Sequence, residues 1–249
     1  MSIDSDIVEN GRKQTSALSR AILTGALLAL ALIFVALGSW QVQRLFWKLD
    51  LIARVDARVH ADPVPAPPPA DWSGVATEKD EYRHVRASGV FDHGKSVLVQ
   101  AVTERGAGFW VMTPLKQDNG ATVFINRGFV PADRRDGGSR AAGDISGPVT
   151  VTGLLRMTEP GGGFLRSNDP AQDRWFSRDV AAIAAAKTLS DVAPYFIDAD
   201  ATPNPGGLPV GGMTVVSFRN SHLVYAMTWF ALAAMSAGAA YAVFRRRFR

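Results

Sequence analysis

The 249-residue chain contains no cysteine. That excludes disulfides, thiolate metal sites, covalent c-type haem attachment and a cysteine nucleophile together. Histidine is nearly as scarce: His60, His84, His93 and His222 complete the inventory, and no two of them stand at metal-ligand spacing on a helix. G-x-S-x-G, H-E-x-x-H and phosphate-loop patterns are missing as well. Gly161-Gly162-Gly163 lacks the strand-to-helix context of a nucleotide site. The carboxylate pairs Asp133/Asp136 and Asp169/Asp173 fall in arginine-rich loops and read as solvated charge. Nothing here marks an enzyme.

A basic face is also lacking, although the formal net charge is +4. Between Leu45 and Phe218 there are 18 Lys+Arg against 20 Asp+Glu, and outside that window 9 against 3. The basic excess therefore sits beside the apolar segments, where a membrane explains it, and a nucleic-acid partner is excluded.

What the chain does have is two long uncharged runs. Ala21 to Gln43 is bounded by Arg20 and Arg44 and is long enough to cross the roughly 30 Å hydrocarbon layer as a helix. A cleaved signal peptide is the rival reading, but the run is too long and Asp4, Asp6 and Glu9 precede it. Asn220 to Phe244 is the second run, and Arg245, Arg246, Arg247, Phe248 and Arg249 follow it. Four arginines in five residues favour a cytoplasmic C-terminus, so two spans place both termini inside and the large domain outside. Trp40, Trp47, Tyr225 and Trp229 would then share the outer interface. Small residues four apart on the second span (Ala233/Ala237, Ala234/Gly238, Ser236/Ala240) would admit another helix, with Gly25 and Ala29 of the first span as one partner.

Between the spans, Leu45 to Val59 continues the first helix, with Trp47, Leu51, Val55 and Val59 at helical spacing. Five prolines from Pro63 to Pro69 then read as a stiff linker. Strands are expected over Tyr82–Phe91, Ser96–Val102, Phe109–Gln117, Thr122–Val130, Val149–Met157, Tyr195–Asp198 and Met213–Phe218. The strongest local signal is the Asp118-Asn119-Gly120 turn, because Asn-Gly suits tight turns with positive φ. Asp179 to Leu189 reads as a short helix capped by Asp179. The fold class is a membrane protein in which two transmembrane α-helices flank a β-rich domain, an antiparallel sheet or barrel of α+β type. Its segments are a tail 1–20, a span 21–43, a domain 44–218 with a proline-rich linker 61–72, a span 219–244 and a basic tail 245–249.

One histidine differs from the rest. His222 opens the second span, and on a helix Tyr225 and Trp229 share its face. Its imidazole could ligate iron or copper, or simply anchor the span end beside Arg219. Taken alone, His60, His84 and His93 read as surface residues.

Several ordered motifs resemble one family. Leu37-Gly38-Ser39-Trp40-Gln41-Val42-Gln43-Arg44 with Trp47-Lys48 is similar to the first-span signature of the surfeit locus protein 1 (Shy) family of cytochrome c oxidase assembly factors. Glu81-Tyr82-Arg83, Gly89-Val90-Phe91-Asp92-His93, Asn126-Arg127-Gly128-Phe129-Val130-Pro131, Asn168-Asp169-Pro170, Trp175, Arg178-Asp179 and Pro194-Tyr195-Phe196-Ile197-Asp198 follow in the family's order. Arg219-Asn220, His222-Leu223, Tyr225-Ala226 and Thr228-Trp229-Phe230 close the match. The resemblance implies a non-catalytic factor of the bacterial inner membrane, with its central domain periplasmic. Its partners would be the catalytic subunit of the oxidase, haem a synthase and membrane lipid, and its cofactor a transiently held haem a. Carried over residue by residue, His222 is the implied iron ligand, with Tyr225, Trp229, Trp40 and Arg44 around it. A haem-free scaffold for the oxidase subunit is the competing expectation. A membrane-tethered sensor is disfavoured, because no cytoplasmic output segment follows the second span.

Overall fold

The computed structural model describes residues 3–163 and 165–245, and of residues 3–17 the backbone alone. The basic run Arg246, Arg247, Phe248 and Arg249, on which the expected orientation rests, lies outside the described residues. In chain order the elements are helix α1 (Ile3–Val59), strand β1 (Val64–Pro65), helix α2 (Thr77–Asp80), strands β2 (His84–Phe91), β3 (Val97–Thr103), β4 (Gly106–Lys116), β5 (Thr122–Pro131) and β6 (Pro148–Met157), the small hairpin β7 (Gly162–Gly163) and β8 (Arg166–Ser167), helix α3 (Val180–Ala186), strand β9 (Val192–Ala199) and helix α4 (His222–Arg245). Two compact units result, Met1–Ala53 with Ser217–Arg249, and Arg54–Val216.

The first unit is a helix pair. Thr24, Leu27, Ala31, Phe34, Gly38, Gln41, Leu45 and Lys48 of α1 are withdrawn from solvent in alternating steps of three and four. His222, Ala226, Trp229, Ala233, Ser236, Ala240 and Val243 of α4 do the same. Two such heptad stripes face each other when antiparallel helices cross at a shallow angle. Phe34 stacks on Trp229 with ring centroids 5.6 Å apart, and a Cβ at Gly38 would come within 2.7 Å of the Phe230 ring. Small residues do admit the partner helix, but only some of those expected. Ala233, Ser236 and Ala240 lie in the seam, while Ala234, Ala237 and Gly238 face outward. On α1 the close approach falls at Ala31 and Gly38; Ala29 is exposed and a Cβ at Gly25 would meet nothing within 4 Å.

Away from the seam the pair is apolar: Leu32 is 72% exposed and Met235 69%. Water does not tolerate a surface of that kind over such a length, whereas lipid does, and a helix satisfies its own backbone there. Both helices are long and apolar enough to span a membrane, and the chain is a membrane protein.

The second unit is a closed barrel. The sheet order is β1-β2-β6-β9-β5-β4-β3, and β2 also pairs with β4 through Val90↔Lys116 and Phe91↔Leu115. Five strands therefore close on themselves, with β6-β2-β4-β5 in Greek-key order. The expectation of a sheet or barrel resolves to a barrel, and it is mixed rather than antiparallel throughout, because β9 pairs with β5 in parallel. Alternation divides the side chains. Val85, Leu115, Val123, Ile125, Leu155, Tyr195 and Ile197 fill the interior. Phe124 and Phe196 point outward, into a second core made with Trp175 and with Val180, Ile183 and Ala184 of α3. β5 is accordingly buried at every position from Thr122 to Val130, the polar Asn126 and Arg127 included, because it is covered on both faces.

Local readings hold where the chemistry is local. Asp179 caps α3 by accepting from the Ala182 amide at 3.1 Å. The Asp118-Asn119-Gly120 turn forms, but only Gly120 has positive φ (+85°), and Asn119 accepts from the Ala121 amide instead. This is a three-residue loop with a left-handed glycine rather than a two-residue turn. The proline-rich stretch 61–72 is docked rather than loose: β1 lies parallel to β2. The Pro67 carbonyl accepts from both Tyr195 Oη at 2.8 Å and Trp72 Nε1 at 3.0 Å. Burial raises the Tyr195 phenol to about 12, so it stays a donor. The first two long strands, β2 and β3, do not pair with one another; a short 3-10 turn at His93–Lys95 sends them to different neighbours. Met213–Phe218 is not a strand, because β6 and β5 already occupy both sides of β9.

Gly128 bends β5 at φ +125°, where a Cβ would overlap the Val210 carbonyl. Gly128→Ala should destabilise the barrel by about 2–4 kcal/mol, read as a lower denaturation midpoint by tryptophan fluorescence of the purified protein. An unchanged midpoint would show that the 210 segment gives way at no cost.

Candidate functional site

The His222 region is assembled from the helix ends inward. Asn220 ends the irregular segment before α4, and its Oδ1 accepts from the His222 backbone amide at 3.3 Å. One of the amides left free at a helix start is thereby satisfied, which fixes where α4 begins. The ring is held from the other helix: His222 Nδ1 lies 2.7 Å from Gln41 Oε1. Gln41 is a seam position of α1, so a polar group inside an uncharged span has a partner there. With the amide oxygen as acceptor, Nδ1 carries the proton and Nε2 keeps its lone pair.

The other residues expected here are distributed around this pair. Trp229 is two turns deeper, on Phe34. Arg44 sits over the Trp47 ring, 4.7 Å from its centroid. Tyr225 is 56% exposed and Trp40 51%. Among the described residues no hydrogen bond, ion pair or ring contact joins the side chain of Trp40, Arg44 or Tyr225 to that of His222. They form the aromatic and cationic rim of the helix pair rather than a closed pocket. Gln41 is the member that reading residue by residue missed; the heptad register of Gly38, Gln41 and Leu45 is the signal that could have found it.

A second concentration of charge lies in the barrel. Asp198, with a side chain 2% exposed, accepts from Asn126 Nδ2 at 2.7 Å, Arg156 Nη1 at 2.8 Å, Arg178 Nη1 at 3.1 Å and Thr214 Oγ1 at 2.9 Å. Glu81 takes Arg156 Nε and the Met157 amide, each at 2.8 Å. Glu159 takes Arg178 Nε at 3.1 Å and its backbone amide at 3.2 Å. Tyr82 lies beneath Arg156, at 4.9 Å, and Phe196 beneath Arg178, at 4.7 Å. Desolvation works against the Arg156 cation, but Asp198 and Glu81 overcome it and raise its pKa. Four separate motifs of the sequence resemblance meet here: Glu81-Tyr82, Asn126, Arg178 and Asp198. Sequence spacing could not show this, because the residues come together only when the barrel closes.

Arg127 forms a third cluster on the opposite parity of β5. It is buried, stacks over Phe91 at 5.0 Å, and donates to Asp144 at 3.2 Å, to Asn204 at 3.0 Å and to the Gly143 carbonyl. Arg127 thereby satisfies carboxylate, amide and carbonyl groups of the loops around it. Burial pulls its pKa down while Asp144 opposes the shift. His93 is less of a surface residue than expected: Nε2 meets the Ile145 carbonyl at 2.9 Å, and Nδ1 lies 3.4 Å from Arg127 and 3.3 Å from Asp144. Both nitrogens are engaged, so His93 offers no lone pair to a metal. His84 engages the Ala61 carbonyl through Nδ1. Among the described residues no group of three metal-ligating side chains assembles.

Replacing Asp198 with Ala leaves Arg156 and Arg178 buried around no shared anion and should cost about 3–5 kcal/mol of barrel stability, measurable by denaturant titration. The pH dependence follows from Glu159. Burial would raise its carboxyl, yet the Arg178 hydrogen bonds lower it below the ordinary 4.5. Its contribution is therefore complete above that value and is lost as pH falls through the lower folded value. Stability should drop on acidification below about pH 4.5, and less steeply in Arg178→Gln; parallel profiles would remove Glu159 as the cause.

Comparison with known proteins gives one answer. The SURF1 family model matches residues 28–234. Surfeit locus protein 1 of Homo sapiens is 37% identical over 239 residues, covering 88% of this chain and 77% of the relative. The Rattus norvegicus protein of the same name is 38% identical over 229 residues, covering 85% and 72%. A SURF1-like protein of Monosiga brevicollis is 36% identical over 226 residues, covering 85% and 83%.

Proposed function

This chain belongs to the SURF1 family, and from that premise we propose that it is a non-catalytic assembly factor for haem–copper, aa3-type cytochrome c oxidase. In this reading it assists delivery of haem a to the catalytic subunit or its insertion there. The catalytic subunit is the principal partner, haem a synthase the source of the cargo, and membrane lipid the medium. The helix pair sits in a bacterial inner membrane with both termini cytoplasmic and the barrel periplasmic.

The observation that carries the haem reading is the His222–Gln41 pair. Imidazole ligands of metals characteristically donate their second ring N–H to an oxygen, which fixes the tautomer and strengthens the donor nitrogen. Gln41 Oε1, 2.7 Å from Nδ1, supplies that oxygen, so the donor set fits an iron ligand at His222 Nε2. Exposed Trp40 and Tyr225 and the paired Arg44 and Trp47 offer an amphipathic rim, suited to a cargo with polar propionates and an apolar tail. The iron is the cargo's own; the chain's residues hold, orient and release it.

A haem-free scaffold is the second reading, and one observation favours it. One axial histidine leaves iron incompletely coordinated, and the described residues assemble no further ligand cluster.

Purification from cells that make haem a separates the two. The full-length protein should carry a haem absorption band that His222→Ala abolishes and Gln41→Leu weakens. A haem-free protein that still co-purifies with the oxidase subunit would leave only the scaffold. Orientation is checked independently: a reporter fused after Arg249 should be active in the cytoplasm alone.

A further inference from the structure

At the end of the helix pair remote from His222, the seam opens. Arg20, Ala21, Thr24, Gly25 and Leu28 of α1 and Val243 and Phe244 of α4 line a cavity of about 320 Å³. Its walls are mostly hydrocarbon. The one hydroxyl, on Thr24, is turned back onto the Arg20 carbonyl at 2.9 Å, so the wall presents the threonine methyl. Gly25 is part of the lining, and a Cβ there would meet nothing within 4 Å. A glycine inside a helix costs about 1 kcal/mol relative to alanine. At Gly38 close packing explains that cost, but at Gly25 no neighbour does. What Gly25 leaves is room along the wall of the groove.

The mouth carries the opposite chemistry. Arg20 stands at the rim and Arg245 ends α4 within a turn of the lining residues. Guanidinium groups recognise phosphate through paired N–H donors, and basic pockets between transmembrane helices suit anionic lipid head groups. We propose that this groove is a binding site for one anionic phospholipid, with an acyl chain against Gly25 and the head-group phosphate at Arg20. The occupant is lipid rather than free phosphate because the cavity beneath the cation is apolar and opens from helices that are themselves membrane-spanning. The site is independent of haem and of His222, and it would bridge the ends of α1 and α4 beside the last seam positions, Thr24 and Val243.

The test uses the full-length protein in a neutral detergent, titrated with phosphatidylglycerol and, separately, phosphatidylcholine, with bound lipid counted by native mass spectrometry. Phosphatidylglycerol should bind the wild type about fivefold more tightly than phosphatidylcholine. Arg20→Gln should abolish that preference while leaving phosphatidylcholine binding in place. Gly25→Leu, which fills that room without a clash, should reduce binding of both lipids about tenfold or more while leaving the thermal midpoint unchanged or raised. Excess inorganic phosphate should not displace the lipid. Equal affinity for the two lipids, displacement by phosphate, or unaltered binding in Gly25→Leu would overturn the proposal.

Discussion

Two arginines share one buried carboxylate in the barrel, and the arrangement holds only while all three groups are charged. Asp198 comes from β9, Arg156 from β6, Asn126 from β5, and Arg178 from the turn into α3. Glu81 and Glu159 then take the Nε donors of Arg156 and Arg178. Buried ion pairs gain little over well-packed hydrocarbon in net stability, but losing one member is costly. The cluster therefore acts as a register lock. It admits one alignment of three neighbouring strands, and through Thr214 it also holds the segment that follows the barrel. Asp198, Glu81 and Glu159 are each paired with an arginine, which makes the cluster a structural one.

The helix pair obeys the opposite rule. There the surroundings are hydrocarbon, so apolar side chains face out and the seam uses small residues and stacked rings. A polar side chain within such a pair needs a partner, and Gln41 and His222 are partners for each other. The same hydrogen bond that spares Gln41 from lipid also orients the imidazole.

Much of this was legible beforehand. Charge and hydropathy marked both spans, because a run of uncharged residues bounded by arginine is a property of consecutive positions. The β4–β5 hairpin and the α3 cap were legible for the same reason: Gly120, Asp179 and their partners lie within a few residues of one another. Readings failed where local preference met a distant neighbour. Val215 and Val216 favour a strand, but closure of the barrel leaves β9 no free side. The prolines of 61–72 suggest a spacer, yet Tyr195, far along the chain, fixes Pro67. The small-residue stripe on α4 was visible, but which of its members meet α1 depended on rotation about the helix axis.

By itself, then, the sequence determined the membrane-spanning helices, the β character of the intervening domain and the family, since each is written in adjacent residues or in ordered motifs. Only the tertiary structure decided that the sheet closes, that Glu81, Asn126, Arg156, Arg178 and Asp198 form one cluster, and that Gln41 is the partner of His222. These are contacts between residues up to 181 positions apart. Side chains that meet across a barrel or a helix seam are selected by packing and desolvation in three dimensions, and no local pattern in the chain encodes that selection.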